Sequence, residues 1–502
     1  MKRISSLVLP LALLLIAGCA ETDKSGMLSG ENYSDYYAGD ANLEPMPEGD
    51  SFEEIADNPF VSVAEQPQST FSIDADGASY AYMRRCLSSS YSALPSPHSV
   101  RIEEYLNYFT FDYPDPADGE DVAINAEIGA CPWNSEHRLM RLGIKGKSVA
   151  DADMPTANFV FMIDVSGSMN SEDKIGLLKS GLVELVTHLR PSDRIAIVTY
   201  ASGENLLLPS TPCSESQAII AKIKQLEASG ATSGSKALEM AYEQAKKNYI
   251  EGGNNRIIIG TDGDWNVGVT STEGLLEIVE SHAKDGIYMS VCGFGMGNLN
   301  DAMMERISNA GNGTYTYIDC ENEMMRVFCH ERSQMLSVAS DAKVQITFDP
   351  EVVEKYRLIG YENRVMSNED FDNDAKDAGE IGAGQTITAL YELVPLVKEN
   401  ALPEGWDGQA KVAAFDFRFK RLLGEQSIPL HLAVNEWVGS NSQNLNFAAG
   451  VAAYGMLLRN SSYAGNATYD MAYNLVENNS SFDPYGYRAE LLKLIRMASA
   501  IE

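Results

Sequence analysis

The sequence predicts an α/β protein whose centre is a doubly wound, mostly parallel sheet over residues 155–335. A β-rich, sandwich-like region flanks it and a C-terminal helical segment closes the chain. Three observations predict this. Between Asn158 and Met335, apolar runs of strand length alternate with patterns of helical period, the order of elements that builds a parallel sheet with helices on both faces. After Met335 short strand-like runs separated by Pro and Gly take over, and from residue 436 helical patterns return.

The chain has 502 residues, 44% of them hydrophobic, enough for several cores. Its formal net charge of −33 opposes any polyanion, and no basic patch interrupts it, so nucleic acid and bare anionic membrane are poor partners and no nucleic-acid partner is expected.

Residues 1–19 read as a lipoprotein signal peptide: Lys2 and Arg3, an apolar run from Leu7 to Ile16, then Ala17 and Gly18 before Cys19. This predicts lipidation at Cys19 and a cell-envelope location. Ala20 stands where an aspartate is linked to inner-membrane retention in some bacteria, which favours an outer-membrane lipoprotein, periplasmic or surface-facing. From Ala20 to Asp57 acidic residues crowd around a single Lys24, so 20–57 reads as a self-repelling flexible tether. Six cysteines follow Cys19, and their spacing leaves pairing open. Cys292 lies in a buried-strand pattern and reads as a small core residue.

Residues 58–150 read as an N-terminal mixed α/β flanking domain, with strand-like runs at Thr70 to Ile73, Ala123 to Ile128 and Leu139 to Ile144. Helical patterns fall near Tyr80 to Leu87 and Ile102 to Phe109. Asp74, Asp76 and His137 form no chemical pattern and are expected in solvated loops. In the central unit, strands are expected at Phe159 to Ile163, Arg194 to Tyr200, Arg256 to Gly260, Ile287 to Phe294 and Thr314 to Ile318. Helices are expected at Glu172 to Leu189, Ser216 to Ala228, Ser235 to Tyr249, Thr272 to Ala283 and Asp301 to Ala310. A β-rich domain (336–435) follows, then a helical region (436–502) with its clearest patterns at Asn446 to Leu458 and Tyr487 to Ala500. Because strands flank the α/β unit on both sides, their pairing would make that unit an insertion into one sandwich.

The chemistry sits in FVFMIDVSGSMN, Phe159 to Asn170. An apolar strand runs into Asp164, Ser166 and Ser168 on alternate positions, and Gly167 permits the tight turn that aims their oxygens inward. An ordinary strand-to-helix loop capped by a serine or aspartate is the simpler reading. Two later loops add Thr232, between glycines before a helix, and Asp262, at the end of an apolar strand. Hard oxygen donors without Cys or His suit magnesium, manganese or calcium, not zinc or copper.

DVSGSM, the isolated Thr232 and TDGD at Asp262, spread across a doubly wound unit, resemble the metal-ion-dependent adhesion site of von Willebrand factor type A domains. The resemblance implies Ser166, Ser168 and Thr232 as direct ligands, with Asp164 and Asp262 acting largely through water. It implies a divalent cation, best Mg²⁺ with Ca²⁺ or Mn²⁺ as alternatives, and an open coordination position that takes an Asp or Glu of a protein partner. Asp264 matches no essential position. NPFVSVAEQPQSTFSIDADGASY, NNRIIIGTDGDWNVGV, GFGMGN, YRLIGYENR and DAGEIGAGQTITALYEL resemble a group of bacterial exported proteins that adds its own N-terminal and C-terminal regions. Gly260, where an aliphatic residue or alanine is commoner, is expected to loosen local packing.

Competing motifs fall short. Gly293 to Gly297 lacks the last glycine of a dinucleotide loop, and Val267 stands where an EF-hand needs glycine. The six histidines show no HExxH or paired spacing, and His188 and His282 are expected on helix surfaces. No G-x-S-x-G occurs. The expectation is therefore a non-enzymatic binding module. Two alternatives stand beside it: a structural envelope protein whose metal only stabilises loops, and a metal-dependent hydrolase with Asp264 as base.

Overall fold

The computed structural model describes residues 46–88, 90–231, 236–263, 272–396, 412–421, 426–435 and 440–502. Before the central unit come β1 (Val61–Ser62), β2 (Gln68–Ser72), β3 (Val122–Ala130) and β4 (Arg138–Gly146). The central unit contributes β5 (Ala157–Asp164), β6 (Arg194–Tyr200), β7 (Glu204–Pro212), β8 (Asn254–Thr261), β9 (Tyr288–Phe294) and β10 (Tyr315–Ile318). After it come β11 (Ser337–Phe348), β12 (Val353–Ile359), β13 (Val365–Met366), β14 (Gly379–Gly382), β15 (Thr386–Pro395), β16 (Ala413–Lys420) and β17 (Ile428–Val434).

The central sheet has the order β10-β9-β8-β5-β6-β7. Its pairs are parallel except β6 with β7, an antiparallel edge the sequence pattern did not reveal. Every residue of β5 is buried. Val160 and Met162 face the helices Ala237–Lys247 and Thr272–Lys284, while Phe159, Phe161 and Ile163 face Leu177–His188 and Ser216–Lys224. A strand covered on both faces reads as a continuous apolar run. The chain leaves β5 towards β6 on one side and later returns to β8 on the other, so winding reverses at β5. The crevice beyond the carboxyl ends of β5 and β8 is the place where such sheets hold ligands.

The two β-containing stretches outside this unit are not separate. One antiparallel sheet runs β1-β12-β15-β4-β3 and the other β13-β2-β11-β16-β17, with β14 on β11. Met140, Leu142 and Ile144 of β4 thus share a core with Val344 and Ile346 of β11. The strands of 58–150 and of 336–435 complete each other's sheets, and the α/β unit is inserted between them. Asp74 and Asp76, expected in solvated loops, are 4% and 5% exposed. The Asp74 carboxylate pairs with Arg364 at 2.8 Å, and Asp76 accepts the Tyr315 N–H at 2.9 Å, so both belong to the seam between the sandwich and the α/β unit.

Helices Ile102–Asn107, Gln443–Leu458, Tyr469–Asn478 and Tyr487–Ile501 share a further core, the third of these helices having escaped the sequence pattern. Arg84, on helix Ala78–Leu87, ties the parts together. Its guanidinium reaches Asp319 (2.5 Å), Glu323 (2.7 Å) and Glu490 (2.9 Å), and all four side chains are buried. The end of the expected tether is also built in. Phe52 packs edge-on against Tyr82 at 5.0 Å, and Asp50 accepts the N–H groups of Gly297 (2.7 Å) and Leu299 (2.9 Å). Among the described residues no helix is long and apolar enough to cross a membrane. The six cysteines after Cys19 are unpaired, and Cys292 is buried in the core of the central sheet.

Candidate metal centre

Asp164 ends β5 and Asp262 follows β8, its hydrogen-bonded neighbour, so the two carboxylates reach the same crevice. Both are fully buried. Asp164 accepts the Ser166 N–H at 2.8 Å and the Thr261 hydroxyl at 3.4 Å. The short turn Gly167–Met169 holds the Ser166 and Ser168 hydroxyls 2.9 Å apart, with Ser166 buried and Ser168 at the exposed rim. The loop before Thr232 is fastened to this turn from both sides: Ser229 N–H donates to the Val165 carbonyl (2.7 Å) and Gly167 N–H to that of Gly230 (2.9 Å). Thr232 and Asp264 lie outside the described residues, as does Cys19.

Burial, with the nearby Asp262 charge, pushes the Asp164 carboxyl up to about 6 against the hydrogen bonds from Ser166. Asp262 is asymmetric. One carboxylate oxygen receives the Lys174 ammonium at 2.9 Å, while the other is buried with no hydrogen-bond partner among the described residues. A buried carboxylate oxygen left without a donor is costly. Two buried carboxylates, two adjacent hydroxyls and one orphaned oxygen therefore fit a hard divalent cation. These residues would hold it, and it would supply an electrophilic, oxygen-seeking centre there.

Lys174 was not legible as part of the site. The pattern from Glu172 reads as one regular helix, but Glu172–Gly176 is a π-helical turn before helix Leu177–His188. Lys174 also reaches the Asn298 side chain at 3.4 Å, and its stem passes where a side chain on Gly295 would stand. Gly263 has φ +117°, and a Cβ there would come within 2.2 Å of the Asn298 carbonyl, so the loops after β8 and β9 touch only because the residue is glycine. In the GFGMGN loop the Gly297 N–H is taken by Asp50, as is that of Leu299 just after it, so a carboxylate of this chain sits where a phosphate would have to approach. Gly260 loosens nothing: Leu178 fills the space, and a Cβ would meet its methyl at 2.8 Å. His188 is exposed, whereas His282 packs on Tyr242, ring centroids 3.8 Å apart. An open groove runs beside the first loop, lined by Asn170, Glu172, Ile175, Lys179, Leu226 and Ala228.

Three family models match the chain: von Willebrand factor over residues 46–141, von Willebrand factor type A domain over 159–264, and "Uncharacterized protein YfbK, C-terminal" over 333–501. The first of these covers sandwich strands and the helices that bind them to the rest, not a second doubly wound unit. The chain is 39% identical over 470 residues to the uncharacterized protein YfbK of Escherichia coli K12, covering 90% of this chain and 81% of that one. It is 29% identical over 165 residues to human inter-alpha-trypsin inhibitor heavy chain H4, covering 31% of this chain and 17% of that protein. A solved von Willebrand factor type A protein from Catenulispora acidiphila aligns at 16% identity over 77% of this chain and 91% of that one, with a TM-score of 0.43. The chain belongs to the YfbK family of von Willebrand factor type A domain proteins.

Proposed function

We propose that the protein is a lipid-anchored cell-envelope module that binds a protein partner through a divalent cation, best Mg²⁺. Ser166, Ser168 and Thr232 hold the cation directly, Asp164 and Asp262 hold it through water, and the remaining coordination position takes an Asp or Glu side chain of the partner. The observation that carries this reading is the buried Asp262 oxygen without a partner among the described residues, at the end of the strand that neighbours the one leading into the Ser166–Ser168 pair. Neutral hydroxyl ligands leave the ion electrophilic, and the two carboxylates balance its charge from behind. The groove along Asn170 to Gly176 gives the partner a surface to lie on.

Lipidation at Cys19 would tether the module to the outer membrane, on its periplasmic or its outward face, and the reaction assigned to it is binding, not turnover. Calorimetric titration with Mg²⁺ tests the site: one equivalent is expected for the native chain and none for Asp164→Ala. Pull-down from native membranes with and without chelator tests the partner. A partner retained equally in both would leave the cation a stabilising role only, and metal-dependent ester hydrolysis lost in Asp264→Asn would overturn the non-enzymatic reading.

A further inference from the structure

At the opposite end of helix Leu177–His188 a second set of donors converges, separated from Asp164 by the length of that helix, roughly 18 Å for its span. Glu184 and His188 stand one turn apart on the helix, and Cys329 comes from the π-helical turn Arg326–His330 that packs against it. Their ligating atoms all lie within 4.8 Å of one another. His188 Nδ1 is 3.6 Å from Cys329 Sγ and 3.6 Å from a Glu184 carboxylate oxygen.

We propose that Glu184, His188 and Cys329 form a zinc site distinct from the Asp164 centre. In tetrahedral zinc coordination, a nitrogen about 2.0 Å and a sulfur about 2.3 Å from the ion stand roughly 3.5 Å apart. The observed 3.6 Å separation already has that value. Thiolate, imidazole and carboxylate are the donors zinc takes, and none of the hard-cation sites uses the first two. The charges also close: one thiolate and one carboxylate neutralise Zn²⁺, so the half-buried site carries no net charge. Three protein ligands leave a fourth position for water or a ligand from outside, the pattern of an accessible zinc centre.

The surroundings hold the backbone that carries the donors, and His188 Nδ1, now 3.0 Å from the Glu184 carbonyl and 3.2 Å from the Thr187 hydroxyl, would exchange those contacts for the ion. Arg332 donates to the His188 carbonyl at 2.9 Å and to Asp151 at 3.1 Å, pinning the helix end to the segment that carries Cys329. The Met325 sulfur lies 3.9 Å from Cys329 Sγ and closes the apolar side. Among the described residues no other group of three His, Cys, Asp or Glu side chains converges in this way. Cys86, Cys131, Cys213 and Cys292 are buried and take no part.

The test uses the full chain without an affinity tag, in saturating Mg²⁺, titrated calorimetrically with Zn²⁺ and separately with Co²⁺ as a spectroscopic substitute. One zinc equivalent is expected, with a thiolate-to-cobalt charge-transfer band. Zinc affinity should fall at least about tenfold in Cys329→Ser and in His188→Ala, each with an unchanged circular-dichroism spectrum, because each removes one of three ligands. It should be unchanged in Asp164→Ala, which separates failure of this site from failure of the Mg²⁺ centre. Native-like zinc affinity in Cys329→Ser, loss of zinc in Asp164→Ala, or a cobalt complex without the thiolate band would each overturn the assignment.

Discussion

Two groups of buried carboxylates can be set side by side. Around Arg84, the carboxylates Asp319, Glu323 and Glu490 converge on one guanidinium, which also takes the Tyr108 hydroxyl at 2.8 Å, and Arg326 adds a second cation to Glu323 at 2.6 Å. At the crevice, the only ammonium among the described residues that reaches either Asp164 or Asp262 is Lys174, on one oxygen of Asp262. Both groups are buried, but the first is matched by fixed cations and the second, among the described residues, is left short of positive charge. The first group holds parts of the chain together. The second has the composition of a site that an external cation completes.

The sharpest way to break this comparison is to remove the matched cation. Arg84→Met should take the shared cation from buried Asp319 and Glu490, with Glu323 keeping Arg326, and destabilise the protein by about 3–5 kcal/mol, read as a shift in the urea midpoint. A change of less than about 1 kcal/mol would show that the hub is not structural. Lowering the pH probes the unmatched group. The Asp164 carboxyl sits at about 6 in the fold against 3.8 for the free side chain, so the folded state binds the proton more tightly. The metal-free chain should lose stability as pH rises from about 4 to about 6, by about 3 kcal/mol from this group. Saturating Mg²⁺ should restore it above pH 6 and do little below pH 4, and denaturation curves at both pH values with and without Mg²⁺ check this.

A smaller effect is expected from Lys174→Met. Removing the ammonium takes a competing positive charge from the crevice, so Mg²⁺ should bind about tenfold more tightly, equivalent to ~1.4 kcal/mol, while the metal-free variant becomes less stable. Unchanged Mg²⁺ affinity would mean that Lys174 and the cation do not share the Asp262 charge.

Much of the central unit is legible because its signals are local. The apolar run of β5 and the alternation of strand and helix arise from burial on both faces of one sheet. Asp164, Ser166 and Ser168 are written in one short loop, and the structure gathers them with Asp262 because β5 and β8 are neighbours. The edge strand β7 and helix Tyr469–Asn478 were missed because little of either is buried: one residue of nine in the strand and three of ten in the helix. The sequence marks strands on both sides of the insertion, yet it does not say which of them share a sheet.

By itself, the sequence determined the periodicities, the acidic balance and the oxygen-rich chemistry of the first loop, since each depends on residues close together in the chain. Tertiary structure alone decided which charges answer one another. Arg84 and Asp319 are 235 residues apart, Lys174 and Asp262 are 88 apart, and His188 and Cys329 are 141 apart. A buried charge is tolerated only where folding delivers a counter-charge, and no local pattern encodes that delivery. The same folding that matched every carboxylate at Arg84 left Asp262 with an oxygen to which no described residue donates.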